Sequence, residues 1–206
     1  MIIDEIKSAF IENKWAIFTS IAILFGCLIL GYFLEPYLYS YFNPVVDDLT
    51  QKVQSGVIKL TFQDIFLNNL RVILMMFILG IGCCISVLVL AFNGFFVGYY
   101  VASEGNLLAV SMYIIPHGIF EFSSCILACA SGIVLFNFIY KFLKAVWRQN
   151  EGSISQRVSN SFDESHVKLK QALIIFAVSL VLMVIAGFVE VYLTIPIANF
   201  VLSILG

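Results

Sequence analysis

The segment from Leu107 to Tyr140 constrains the fold more than any other part of the sequence. It is almost entirely apolar and longer than the roughly 20 residues that a membrane-spanning helix needs, yet Pro116, His117 and Glu121 interrupt it. A proline at the first helical position loses no hydrogen bond, so a helix that opens at Pro116 would place His117 and Glu121 on one face, at i and i+4. Polar groups in lipid are costly unless protein or water surrounds them, so we expect this face to point into a bundle.

The composition of the whole chain supports a membrane location. Of the residues, 61% are apolar and 12% are charged, whereas a soluble domain has roughly half and a quarter. So few charges cannot coat a soluble core of this size. The predicted fold class is therefore all-α: a polytopic membrane helical bundle, a single integral membrane domain over residues 1–206 with glycine- and proline-broken helices. No basic tract with interleaved aromatic residues occurs, which argues against nucleic acid binding.

The pattern of apolar and polar segments predicts five spans, at about 15–34, 72–92, 94–110, 113–140 and 171–195. In this interpretation Glu35-Pro36 ends the first span and Asn93-Gly94 forms a turn, so that 35–70 is an outer loop and 141–170 a basic loop. The piece 94–110 is short, and a re-entrant hairpin is the alternative for it.

Several shorter signals predict where helices begin and end. Residues 1–14 have the pattern of an amphipathic lead-in helix, and the stripe Val45–Val53 that of a helix on the membrane surface or over the mouth of the bundle. Thr61-x-x-Asp64 and Ser161-x-x-Glu164 resemble helix N-caps, and Pro196 is expected to close the last span.

The distribution of lysine and arginine predicts the orientation. Six basic residues crowd the loop 141–170, which places that loop in the cytoplasm of a multi-pass cell-membrane protein. With five spans, the N-terminus is then cytoplasmic and the C-terminus lies outside.

The same arrangement gathers the ionisable residues of the spans at similar depth. We expect a buried polar cluster of His117, Glu121, Arg71, Glu190 and Asn69, in which Arg71 pairs with Glu190 or Glu121. A lone charge at mid-membrane costs roughly 3 kcal/mol or more, and pairing removes much of this cost. Hydrogen bonding between helices, a ligand or ion pathway, and catalysis or metal binding all remain open for this cluster.

No catalytic, cofactor-binding or metal-binding residue is predicted from a motif. His117 and Glu121 offer two ligands of a zinc site, but no third ligand with helical spacing is evident. Nucleophile elbows, phosphate-binding loops and metalloprotease patterns are missing from the sequence. The five cysteines lie in apolar segments and are expected to be inert thiols.

Small residues indicate where helices approach closely or break. The helix-break and close-packing positions are Pro116, Gly118, Asn93, Gly94 and Gly98, of which Gly94 and Gly98 form a Gly-x-x-x-Gly face. Such faces also allow a homo-oligomer.

A set of motifs occurs in one order along the chain. These are Asn69-x-Arg71, Gly80 and Gly82, Asn93-Gly94 with Gly98, Pro116-His117-Gly118-Ile119-Phe120-Glu121, Gly132, and Glu190 with Tyr192 and Pro196. Over about residues 64–196 the chain resembles the stage II sporulation protein M family of integral membrane proteins, although Phe122-Ser123 stands where the family has Leu-Pro. The resemblance implies a multi-span protein that acts through partners, since the namesake is a membrane scaffold for two peptidoglycan-degrading proteins.

The leading functional hypothesis is a non-enzymatic membrane scaffold. Its partners are membrane lipids and membrane or extracytoplasmic proteins, recruited by the outer loop and the basic loop. The alternative is a transporter or channel for a small solute or ion, because proline- and glycine-broken helices with buried ionisable groups are typical of transport sites. An intramembrane hydrolase, with a nucleophile or metal against His117, is the least favoured hypothesis.

Overall fold

A computed structural model of the chain describes residues 2–55, 61–82, 84–148 and 153–205. These residues form seven α-helices and one 3-10 turn, without any strand among them. The helices are α1 (Ile2–Glu12), α2 (Lys14–Gln54), α3 (Phe62–Ile78), α4 (Cys84–Ser103), α5 (Leu107–Arg148), α6 (Ile154–Tyr192) and α7 (Thr194–Leu205), and the 3-10 turn Leu79–Gly82 follows α3. Helices α2 to α6 are each long and apolar enough to cross a membrane. The predicted helical membrane bundle is therefore confirmed.

The predicted end of the first span at Glu35-Pro36 is wrong, because α2 continues through Pro36 and Pro44 to Gln54. The helix bends instead of stopping. Gly31 lies against the backbone of Phe95, and the ring of Phe42 lies 5.9 Å from the ring of the same Phe95. Eleven residues of straight helix rise about 16 Å, so both contacts require a bend between them, where Pro36 lies.

Three other predicted breaks are also corrected. Asn93 and Gly94 lie in the middle of α4 and not in a turn, and the chain between α3 and α4 breaks at the turn Leu79–Gly82. Pro116 lies inside α5 and does not begin it. Pro196 lies in the first turn of α7, after α6 has ended at Tyr192. At Asn93, Gly94 and Pro116, packing or helix propensity around the residue outweighs the local breaking signal, whereas α6 ends before Pro196 is reached.

The predicted N-caps had mixed outcomes. Thr61 is the N-cap of α3, and its hydroxyl accepts a hydrogen bond from the backbone N–H of Asp64. The predicted cap at Ser161 is wrong, because α6 begins seven residues earlier, where Ser153 and Gln156 form a reciprocal capping box. Ser161 is buried inside the helix. Most of the predicted basic loop is therefore helical.

Glycines set the packing of α2 against α4. A Cβ atom added to Gly94 would lie 2.5 Å from the carbonyl oxygen of Leu24, and one added to Gly98 would overlap the carbonyl of Leu28. Contacts that advance by four residues on both helices mean that α2 and α4 run parallel. The predicted close-packing role of Gly94 and Gly98 is thus realised inside the bundle, between two helices of the same chain.

Helix α5 is the centre of the bundle. It packs against α2, α3, α4, α6, α7 and the 3-10 turn, and it is nearly continuously buried from Ser124 to Leu135. Helix α6 runs antiparallel to it: Ser124 of α5 hydrogen-bonds Ser179, and Phe138 of α5 contacts Phe162.

Helix α1 lies at the end of the bundle that holds the basic residues, which we call the basic end. Asn13 donates a hydrogen bond to Gln171 (2.9 Å), and Lys168 pairs with Glu12 at 3.3 Å. Hydrogen bonding from Gln171, with smaller contributions from Ser8 and Lys168, lowers the pKa of Glu12 to about 2. We call the opposite end, where α5 begins and α6 finishes, the cluster end.

Candidate functional site

Three ionisable side chains meet at the cluster end. His117 and Glu121 come from α5 and Glu190 from α6, and one nitrogen or oxygen atom of each lies within 4.8 Å of the others. The closest approach of His117 to Glu121 is 4.0 Å, between Nε2 and Oε2. The two side chains are 15% and 22% exposed, so the cluster is largely withdrawn from the surface.

The local sequence explains this meeting. The i, i+4 spacing puts His117 and Glu121 on one face of α5. The antiparallel packing of α6 against α5 then brings the Glu190 side chain to that face. Between the two α5 residues, Gly118 is buried.

A threonine orients the imidazole. Nδ1 of His117 lies 3.2 Å from the hydroxyl oxygen of Thr194, and that hydroxyl donates its hydrogen to the carbonyl oxygen of Val189 at 3.1 Å. With its one hydrogen used, the Thr194 hydroxyl can only accept from His117. In the neutral imidazole, Nδ1 therefore carries the proton, and the lone pair of Nε2 faces the carboxylates.

A cavity of about 300 Å³ opens beside the cluster. Its walls are mostly apolar, and His117, Glu121 and Tyr100 are the residues with ionisable side chains that line it. Val46, from the part of α2 beyond the bend, lines the cavity from the other side and is buried there. Of the predicted apolar stripe on this segment, Val46 is thus buried while Val45 is 47% exposed, and the side chains of Leu49 and Val53 lie outside the described residues.

The structure does not bring Arg71 into the cluster. Its side chain is exposed, and within the described ranges it makes no ion pair within 4 Å, so the predicted pairing with Glu190 or Glu121 is wrong. The register of α3 explains the separation from Glu190: Phe66 packs near Gly187 and Phe77 stacks on Phe176. Arg71 therefore lies about two helical turns from the level of Glu190.

Asn69 is likewise not among the grouped residues. Its side chain is half-buried, and its Oδ1 accepts a hydrogen bond from the amide of neighbouring Asn68 at 3.4 Å.

The side chains near His117 in sequence are engaged elsewhere. The hydroxyl of Ser123 donates to the carbonyl oxygen of Ile119, and that of Ser124 is buried against Ser179. Cys125 is buried in the core of the bundle. None of the three is placed as a nucleophile next to the imidazole.

Sequence reasoning missed Thr194. The signal was available, because Thr194 follows Glu190 by four residues and lies at the end of the span that carries it. The third member of the compact cluster, Glu190, was expected there together with His117 and Glu121, and the structure brings these three side chains together. The part of the prediction that fails is the pairing of a glutamate with Arg71.

The fold and the site together define a polytopic membrane protein of helices with a carboxylate–histidine cluster at one end. The family model of stage II sporulation protein M matches residues 15–195. The chain belongs to this family, as its motifs predicted.

Two relatives come from the archaeon Methanocaldococcus jannaschii. One uncharacterized protein is 34% identical over 151 residues, covering 71% of this chain and 78% of the relative. A second uncharacterized protein is 29% identical over 213 aligned positions, covering 97% of this chain and 90% of the relative. No solved structure matches the chain significantly.

Proposed function

We propose that the protein is a non-enzymatic integral membrane scaffold that holds protein partners at the membrane. The observation that carries this proposal is the length of its helices. Helices α2, α5 and α6 have 41, 42 and 39 residues, or about 60 Å each. A bilayer core needs only about 30 Å, so helical surface projects beyond the lipid.

The largest projection is at the basic end. Helix α6 begins 17 residues before Gln171, the residue that bonds the start of α2, which corresponds to about 25 Å. The facing part of α5 runs alongside it to Arg148. We call residues 137–148 and 154–170 the α5–α6 projection.

Charge and exposure make the α5–α6 projection suitable for an acidic protein partner. Lys141, Lys144 and Arg148 line a groove on it, together with Glu164. Trp147 is 86% exposed, and tryptophan and arginine are among the residue types enriched at protein interfaces. This surface, rather than a catalytic centre, is what the chain offers to a partner.

The orientation follows from the same basic surface. We place the α5–α6 projection and the N-terminus in the cytoplasm of a cell-membrane protein, because basic residues favour that side. The ion pair of Lys170 with Glu5 puts α1 at the same end, which supports one side for both. The C-terminus then lies outside.

The transporter alternative loses two of its supports. It drew on helices broken at Asn93-Gly94 and at Pro116, whereas both sites lie within continuous helices. Ion flux through liposomes that disappears in Glu121→Gln would contradict the scaffold proposal and favour that alternative.

Site-specific photocrosslinking tests the scaffold. A photoreactive residue is placed at Trp147 on the projection and, as matched control, at the exposed Phe188 in the spanning part of α6. We expect a discrete protein adduct from Trp147 that weakens when Lys144 and Arg148 are replaced by glutamate, and lipid adducts from Phe188. Lipid adducts alone at both positions would refute the proposal.

A further inference from the structure

The cluster of His117, Glu121 and Glu190 has the properties of a metal site. We propose that these three residues bind one divalent cation of the first transition series, through Nε2 of His117 and one carboxylate oxygen of each glutamate. This inference is independent of the scaffold function and concerns the opposite end of the bundle.

The distances fit a site that closes on a cation. Ligand atoms 2.0–2.2 Å from a tetrahedral zinc ion are roughly 3.3–3.6 Å apart. The three atoms here lie within 4.8 Å of one another, so side-chain adjustments of about 1 Å bring them into range. Glutamate and histidine side chains reach this by small rotations, without movement of α5 or α6.

The hydrogen bonds of His117 select the ligand atom. Thr194 holds the proton on Nδ1, which turns the lone pair of Nε2 toward Glu121, 4.0 Å away. A histidine that ligates a metal through one nitrogen and donates from the other to an oxygen is the usual arrangement in metal proteins. Thr194 is the positioning residue of the site.

The charge of the cluster also calls for a cation. Within the described part of the chain, no lysine or arginine makes an ion pair with Glu121 or Glu190. Two carboxylates close together in a low-dielectric region repel each other, and a dication compensates both. Imidazole and carboxylate together suit zinc, manganese, iron or cobalt, whereas calcium and magnesium prefer oxygen ligands alone.

The cavity gives the cation a route and a free position. His117 and Glu121 both line the 300 Å³ cavity, so an ion enters without opening the helices. Three protein ligands leave at least one coordination position of a tetrahedral ion. That position faces the cavity and takes a water molecule or an oxygen of a bound molecule.

Titration of the full-length protein in lipid nanodiscs with Co²⁺ and Zn²⁺ tests the site. We expect one equivalent of Co²⁺ to produce visible d–d bands without the intense near-ultraviolet band of a cobalt–thiolate bond, which excludes the cysteines. Zn²⁺ is expected to displace Co²⁺ and to raise the melting temperature of the protein.

The variants separate metal binding from a structural role. His117→Gln, Glu121→Gln and Glu190→Gln are each expected to weaken Co²⁺ binding about 100-fold or more, and Thr194→Val about 10- to 100-fold. Without metal, the two glutamate variants should melt higher than the wild type, because they remove carboxylate repulsion. His166→Gln, at the exposed second histidine, is the matched control and keeps full binding.

Three results would overturn the proposal. The first is the absence of d–d bands when the wild type is titrated with Co²⁺. The second is equal Co²⁺ affinity of the wild type and the Glu190→Gln variant. The third is Mg²⁺ or Ca²⁺ binding that matches Zn²⁺, which would assign the cluster to a hard cation instead. A fall in the melting temperature of metal-free Glu190→Gln would indicate that the carboxylates share a proton, and would count against the cation as well.

Discussion

The contact between α2 and α4 yields the sharpest prediction, which is that Gly94→Ala destabilises the bundle. The added methyl group would lie 2.5 Å from the carbonyl oxygen of Leu24 and 3.2 Å from its Cδ1. The nearest atom is backbone and cannot rotate away. An ordinary separation of about 3.4 Å requires α2 and α4 to move apart by roughly 0.9 Å at this point.

The magnitude follows from two opposing effects. Alanine is intrinsically better than glycine inside a helix by up to about 1 kcal/mol. Overpacking a close interface costs about 1–3 kcal/mol, and separation also loses dispersion contacts at the neighbouring Gly98. Gly26→Ala isolates the first effect, because a methyl group at Gly26 of α2 meets no atom within 4 Å. Because both variants gain the same helix propensity, their difference is the overpacking cost, and we expect Gly94→Ala to be less stable than Gly26→Ala by about 1–3 kcal/mol.

Reversible unfolding of both variants in the same detergent or bicelle system measures this difference. Gly26→Ala should match or slightly exceed the wild type, and Gly94→Ala should fall well below it. Equal stability of the two variants would show that α2 and α4 are not in backbone contact at Leu24, and the reasoning would fail.

Two further predictions concern buried and charged contacts. Ser124→Ala removes the hydrogen bond that its hydroxyl donates to the carbonyl oxygen of Ser179 and should cost about 0.6–1.7 kcal/mol. The bond that the Ser179 hydroxyl donates to the backbone carbonyl of Ser124 survives this change, so adding Ser179→Ala should cost a similar amount again in the same unfolding assay; a double variant as stable as Ser124→Ala would contradict two separate bonds. The pKa of Glu12 is lowered to about 2 from its usual 4.5, chiefly by Gln171, so its contribution to the docking of α1 is complete above about pH 4.5 and is lost as the pH falls toward 2. Hydrogen exchange of α1 amides, corrected for the intrinsic rate, should rise over that range in the wild type and show no such step in Glu12→Gln; an identical profile in both would refute it.

Composition and apolar runs were enough to predict the class of fold. An uncharged stretch such as 15–34 is long enough to enter lipid, where a single segment satisfies all its backbone hydrogen bonds only as a helix. Helix α2 covers that stretch. The Thr61 cap and the amphipathic helix α1 were also accessible, because caps and periodicity are local properties.

The positions at which the helices end could not be predicted from local sequence. Asn93-Gly94 has the composition of a turn, yet Gly94 serves to admit the carbonyl of Leu24, and that partner lies 70 residues away. Glu35-Pro36 ends many helices, yet here α2 bends and its later part gains burial at Val46. Tertiary contacts decided both, and a single sequence does not display them.

In the candidate site, too, local sequence predicted some features, and packing between helices decided the others. The spacing of His117 and Glu121 fixed one face of α5, and the depth of Glu190 could be estimated from its distance to the end of its span. Arg71 was expected beside the glutamates as well, and its absence from the cluster depended on the packing of α3 against α6, where Phe66 lies at Gly187. Thr194 was overlooked because α6 was expected to run on to Pro196.

The central position of α5 has a consequence for how the chain is made. Helices α2, α3 and α4 precede α5 in synthesis, and each packs against it in the finished bundle. Until the fourth span is inserted, the glycine face of α2 and α4 is the main contact that the nascent chain can form. The partly assembled bundle therefore leaves small-residue faces such as Gly80, which contacts Gly132 of α5 in the finished fold, uncovered until the fourth span is in place.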